Sequence, residues 1–251
     1  MPRFSTANDI INRAALEVGL LPISDAVAST DETFIQLQGL LDSAGQELVD
    51  LHEWQAIRGV FELTTAAGDS GTYDLPEDFS YMIDQTGWDH TNRVAMGGPL
   101  SAQGWSYLAG RDLVSQSIYA SFRLVDNKFD LFPQPPPDNL KIRFEYISRN
   151  WVQEQGHVPA AGEAQGSRDI IGTGSDVILY EPILIIKMLK AKFLEAKGFD
   201  ASSARLEFEN MFNSRTGKDE GAPILSASRN GAAYPFLDSY YNTGDTGYGG
   251  H

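Results

Sequence analysis

The chain reads as an α+β protein: a helical bundle of two N-terminal and two C-terminal helices, with an antiparallel β sandwich or barrel inserted between the pairs and an extended C-terminal tail. Three observations predict this. Helical periodicity marks both ends of the bundle, over residues 6–52 and 181–212. Between about residues 57 and 148 the apolar period is closer to two and turns are frequent. Strand-like and helix-like runs do not alternate, which argues against a parallel α/β sheet. The expected divisions are a bundle from 1–56 and 176–220, a β insertion at 57–150, a long loop or arm at 151–175, and a docking tail at 221–251.

The first helix opens at Thr6-Ala-Asn-Asp9, an N-cap residue with a carboxylate three positions on. Ile10, Ile11, Ala14, Ala15 and Val18 then follow helical spacing, and Gly19 ends the run. The second helix begins at Ser29-Thr-Asp-Glu32. Its stripe of Phe34, Leu37, Leu41, Ala44, Leu48 and Leu51 advances by three and four, and it runs to about His52 with Trp54 at its exit. In the β region, Val60–Thr65 is a strand and Ala67-Gly-Asp-Ser-Gly71 a turn. Tyr73-Asp-Leu-Pro-Glu-Asp-Phe79 is a short strand with a proline bend. Residues 81–88 are expected as one strand, and a short helix follows Gly97-Gly-Pro-Leu-Ser101. Residues 119–125 and 128–132 form a hairpin across Asp126-Asn127, a pair suited to a tight turn. Residues 141–148 form the last strand of the insertion.

The most strongly apolar helical run is 181–198. Pro182 suits a first helical position, where its missing N–H costs nothing. Glu181 complements the positive end of the helix dipole, and Lys190, Lys192 and Lys197 are expected to complement the negative end. Gly198 stops it. With apolar residues over most of its first two turns, this helix is expected at the bundle centre. Asp200 caps a fourth helix bearing Ala204, Phe208, Met211 and Phe212. The expected helical core is Leu37, Leu41, Leu48, Ile185, Leu189, Phe193, Phe208 and Phe212.

Composition bounds the function. Apolar residues make up 42% and aromatics 11%, enough for a substantial core, and cysteine is absent. That rules out disulfides and thiolate metal sites. The start of the chain lacks a signal-peptide pattern, and no apolar run approaches the roughly 20 residues that span a bilayer. A soluble chain made in a cytoplasm is expected. With 34 acidic and 19 basic residues the formal charge is −15, which argues against wide phosphate gripping but not against DNA sliding past an acidic wall.

No residue pattern supports an enzyme. Gly68-Asp-Ser-Gly71 matches the surroundings of a serine-protease nucleophile, but it sits in an apparent hairpin turn, without a fitting histidine. Asp84, Asp89 and His90 are the best acid–base or metal candidates, against a polar-loop reading. Gly172-Thr-Gly-Ser175 lacks the Gly-Lys-Ser/Thr ending of a phosphate loop. No metal or cofactor is expected. Trp88, Trp105 and Tyr107 offer a sugar platform or simple core packing, so a carbohydrate- or protein-binding β module on a helical support is the alternative function. The tail places Pro223, Ile224, Leu225, Tyr234, Phe236, Leu237, Tyr240 and Tyr241 in a Ser/Gly/Asn background that builds no core of its own. It either straps its own domain or docks into a partner, a use for which aromatics suit.

Three segments together resemble a known family. They are Thr6-Ala-Asn-Asp-Ile-Ile-Asn-Arg-Ala-Ala-Leu-Glu-Val-Gly-Leu-Leu-Pro22 with the long helix after it; Tyr73-Asp-Leu-Pro-Glu-Asp-Phe79, Gly98-Pro-Leu100 and Phe144-Glu-Tyr-Ile-Ser-Arg-Asn-Trp151; and the 181–198 helix, its follower, and Gly221-Ala-Pro-Ile-Leu225. This set resembles the head-to-tail adaptor proteins of short-tailed phages, the tail tubular protein A or gatekeeper class. The resemblance implies a structural virion protein in the tail or neck, made in the bacterial host cytoplasm. It implies a dodecameric ring beneath the portal protein, with DNA passing through the lumen without sequence-specific binding. The helical part would meet the portal and neighbouring copies, and the β part the tail nozzle or fibres. The C-terminal segment would insert against the portal. Residues 151–175 have no counterpart in the resemblance.

Overall fold

The computed structural model describes residues 3–110 and 120–219. A two-residue strand β1 (Ser5–Thr6) leads into α1 (Ala7–Glu17), where Thr6 Oγ1 accepts the Asp9 amide at 3.2 Å. The helix ends in a Schellman motif. Gly19 lies at φ +83°, its N–H donates to Leu16, and the Leu20 N–H donates to Ala15. α2 (Glu32–Leu51) is capped by Asp31, whose carboxylate accepts the Thr33 amide at 2.8 Å. α4 (Pro182–Ala196) begins on Pro182 and also closes in a Schellman motif. There Gly198 at φ +76° donates to Glu195, and the Phe199 N–H donates to Leu194. α5 (Ser202–Asp219) follows, with Asp200 Oδ1 accepting the Ser202 amide.

α4 is the hub. It contacts α1, α2 and α5, and Leu184, Ile185 and Leu189 are fully buried. Of the three lysines expected at its negative end, Lys197 stands at the C-cap position, while the last turn itself carries no basic residue. Lys190 and Lys192 reach sideways to carboxylates on neighbouring helices, because an ion pair with a fixed partner outweighs a diffuse dipole.

The insertion holds β2 (Arg58–Thr64), β3 (Thr72–Asp74), β4 (Phe79–Met82), β5 (Trp88–Asp89), β6 (Val94–Ala95), α3 (Ala102–Gly110), β7 (Ser121–Val125), β8 (Lys128–Phe132) and β9 (Lys141–Ser148). One sheet runs β2-β9-β5-β6, with β4 also on β9; a second runs β3-β8-β7. They face each other across Phe61, Phe122, Phe129 and Phe144, with Phe129 stacked on both Phe122 and Phe144. The arrangement is a sandwich. Among the described residues no closed barrel forms, since β2 is an edge strand. The strand expected over 81–88 is also corrected. It breaks after Met82, where Gln85 takes φ +63° and Thr86 Oγ1 donates to Ile83 while accepting the Glu145 amide. The Asp126-Asn127 turn has both residues at positive φ, as a type I′ hairpin requires.

β9 belongs to two cores. Ile142, Phe144 and Tyr146 face the sandwich interior, while Ile147 faces the helical core with Ile57, Ile83 and Trp151. Alternation along one strand therefore welds insertion to bundle. The connection through residues 151–175 is pinned rather than projecting. β10 (Val152–Gln153) pairs with β11 (Val177–Ile178), which pairs with β1. Trp151 is fully buried, stacked on Tyr180 and donating from Nε1 to the Asp169 carbonyl at 2.8 Å.

Candidate docking surfaces

Of the expected helical core, Leu37, Leu41, Leu48, Ile185 and Leu189 are fully buried and Phe193 nearly so. Phe208 and Phe212 are only partly buried, at the border where α5 lies on the bundle. Ala204 is the buried residue of α5. Ion pairs add to its attachment. Lys187 bridges Glu17 at 2.9 Å and Glu207 at 3.1 Å, and Arg215 pairs with Glu181 at 3.6 Å. Hydrogen bonding to Glu17 pushes the Lys187 pKa up, and bonding to Lys187 draws the Glu207 carboxyl down. Such solvent-screened pairs add little to stability. α5 is thus an outer helix held by a short aromatic edge, including Phe212 edge-on to Trp54.

Its last residue is fastened more firmly. One Asp219 carboxylate oxygen pairs with Arg3 at 3.4 Å; the other accepts the Gln55 amide at 2.9 Å and lies 3.6 Å from His52 Nε2. The Gln55 side chain also donates to the Asp219 carbonyl. The tail is therefore rooted between the N-terminus and the start of β2. The docking residues expected from the sequence, Pro223, Ile224, Leu225, Tyr234, Phe236, Leu237, Tyr240 and Tyr241, lie outside the described residues.

A cleft of about 1060 Å³ opens along β2. Val60, Phe61 and Glu62 form its floor, and the β3–β4 turn at Pro76, Glu77 and Asp78 forms one wall. The connection from His157 to Ile170 forms the other, with Arg143, Tyr146 and Arg149 between. Tyr146 lies across Gly59 and donates to Asp78 at 3.1 Å; burial, then the Asp78 charge, drives its pKa up. These residues come from four distant parts of the chain, so no local pattern announces the cleft.

The chemical candidates have structural uses. Asp89 is fully buried and accepts from the Thr91 amide, the Asn92 amide and the Asn92 side chain, at 2.8, 3.0 and 2.6 Å. That is a turn held by its own aspartate. His90 is exposed, and Asp84 lines a separate apolar hollow with Phe79, Met82 and Leu124. At the Gly68–Gly71 turn, Asp69 accepts from the Ala66 amide and from Tyr73 Oη. The loop amides at Gly172 and Thr173, with Thr173 Oγ1, donate to Asp176, a fully buried carboxylate also 3.5 Å from Arg168. Burial raises the Asp176 pKa, but the Thr173 and Gly172 hydrogen bonds and Arg168 outweigh it, and the net shift is downward. The donors of the Gly172–Ser175 loop are thus taken up by the chain's own aspartate. Among the described residues no cluster of three or more His, Cys, Asp or Glu is placed to hold a metal. Trp105 is buried against Phe132 under the Arg123 guanidinium, which removes it from a sugar platform. Among the described residues no helix is long and apolar enough to cross a membrane.

A family model described as SU10 adaptor protein matches residues 5–231, which takes in the bundle, the sandwich, the 151–175 connection and the first part of the tail. No curated protein matches the chain.

Proposed function

The chain belongs to the SU10 adaptor protein family, a phage head-to-tail adaptor family, and from that membership we propose that it forms a ring joining portal to tail nozzle. A structural adaptor role in the virion neck follows from the family itself, which is not an enzyme class. The finer reading is that copies close into a ring under the portal protein, with the helical part toward the portal and the sandwich toward the nozzle or fibres. DNA passes through the lumen, where an acidic chain of net charge −15 keeps phosphates from sticking. The observation that carries the reading is the extent of the family match, which runs past Asp219 into the tail as far as residue 231. A segment shared by a family of connectors, rooted by Asp219 at the junction of bundle and sandwich, suits docking on a neighbouring copy or the portal.

Electron microscopy of the purified chain mixed with its portal protein tests this. Ring-shaped complexes are expected, and their absence overturns the reading. Deleting residues 221–251 should leave circular dichroism and Tm unchanged and abolish docking. Loss of the folded state instead would make the tail a strap on its own core.

A further inference from the structure

We propose that the cleft along β2 is the receptor for the C-terminal tail of a second copy, which adds to the open edge of β2 as an extended strand. The inference rests on the ring reading above and names the surface that the tail finds. In β2 the odd-numbered residues bond to β9, as the Thr65 amide does to Leu140 just past the strand end. The even-numbered residues therefore turn their N–H and C=O groups away from β9, into the cleft. The Val60 N–H is already taken by the Gly162 carbonyl at 2.7 Å. The connection thus supplies the first rung of an added strand and then departs. At Glu62 and Thr64, both exposed, no other described strand pairs with that edge.

An open edge beside a walled cleft is the geometry of strand addition, in which main-chain hydrogen bonds supply affinity and flanking pockets supply specificity. The volume of about 1060 Å³ lies at or beyond the upper end of small-molecule sites, about 300–1000 Å³, and suits a stretch of chain. The occupant is residues 221–241. They follow Asp219, which is bonded to the Gln55 amide three residues before β2 begins, so the tail starts beside the entrance of this strand in every copy. It carries two short apolar blocks, Pro223-Ile-Leu225 and Tyr234-Pro-Phe-Leu237, separated by small and polar residues. Extended at roughly 3.3 Å per residue, the segment 221–241 can reach about 70 Å from its root.

The absence of cysteine makes the test direct. Two full-length chains are prepared, one with Glu62→Cys and one with Phe236→Cys, mixed, assembled with the portal and oxidised. Disulfide-linked pairs should exceed by at least several-fold those from a Val125→Cys control at the β7–β8 turn. Adding Thr64→Pro to the Glu62→Cys chain removes one open-edge donor while sparing the β9 ladder, and should cut the yield several-fold with circular dichroism unchanged. Rings without the disulfide overturn the inference and leave the ring reading standing; no rings overturn both. A Glu62→Cys/Phe236→Cys chain that links only within itself, or a yield indifferent to Thr64→Pro, also overturns it.

Discussion

Two glycines on α2 should respond in opposite directions to the same substitution. A Cβ built on Gly45 falls 2.3 Å from Trp151 Cε2 and Cζ2 and 2.5 Å from Cη2, whereas one built on Gly39 meets nothing within 4 Å. Ordinary carbon contacts lie near 3.5–4.0 Å, so the Trp151 ring must retreat by more than about 1 Å. It is poorly placed to do so. The ring is fully buried, donates to Asp169, and stacks on Tyr180, whose hydroxyl donates to the Gly45 carbonyl at 2.9 Å. Overpacking of this kind costs about 1–3 kcal/mol, and disturbing either hydrogen bond adds about 1 kcal/mol. Helix propensity returns at most about 1 kcal/mol. Gly45→Ala should therefore lose about 2 kcal/mol net, while Gly39→Ala should gain about 0.5–1 kcal/mol. At about 2–4 °C per kcal/mol for a chain of this size, Tm falls by roughly 4–8 °C in the first and rises by roughly 1–4 °C in the second. Thermal unfolding followed by tryptophan fluorescence and circular dichroism measures both. A Gly45→Ala protein as stable as the Gly39→Ala protein refutes the account of Trp151 as the rigid pin between connection and bundle.

Asp176→Asn should cost about 3 kcal/mol, because a buried acceptor of three hydrogen bonds loses its charge. The pH dependence has a fixed sign. The folded pKa of Asp176 lies below the ordinary 3.8, so its stabilisation is present above about that pH and is lost as pH falls through the folded value. Thermal unfolding midpoints of wild type and Asp176→Asn, measured over a pH series, should converge as pH drops; a constant gap contradicts the assignment. Asp89→Ala should lower stability by about 1–3 kcal/mol by leaving the Thr91 and Asn92 amides unpaired, whereas His90→Ala should change it by less than about 0.5 kcal/mol. Ring assembly should survive both, and loss of assembly in His90→Ala alone would reopen a chemical role for that loop.

The four bundle helices were legible because each carries its own punctuation. Thr6, Asp31, Pro182 and Asp200 open them, and Gly19 and Gly198 close two of them. The Asp126-Asn127 hairpin is equally local. What escaped depends on distant partners. β1, β10 and β11 are two residues each and exist only through one another. The polar look of 151–175 hides Trp151, Val152 and Ile171, which anchor it. The break after Met82 turns on Thr86 bonding to Glu145, a residue 59 positions away. The cleft is invisible for the same reason: it depends on the edge position of β2, which only the sheet order reveals.

The most direct trial is an electron cryo-microscopy map of the intact virion neck. Copies of this chain should close a ring on the DNA axis, bundles toward the portal, with residues 221–241 of each copy covered by protein. Copies off the axis, or terminal aromatic side chains bare in solvent, would contradict the account.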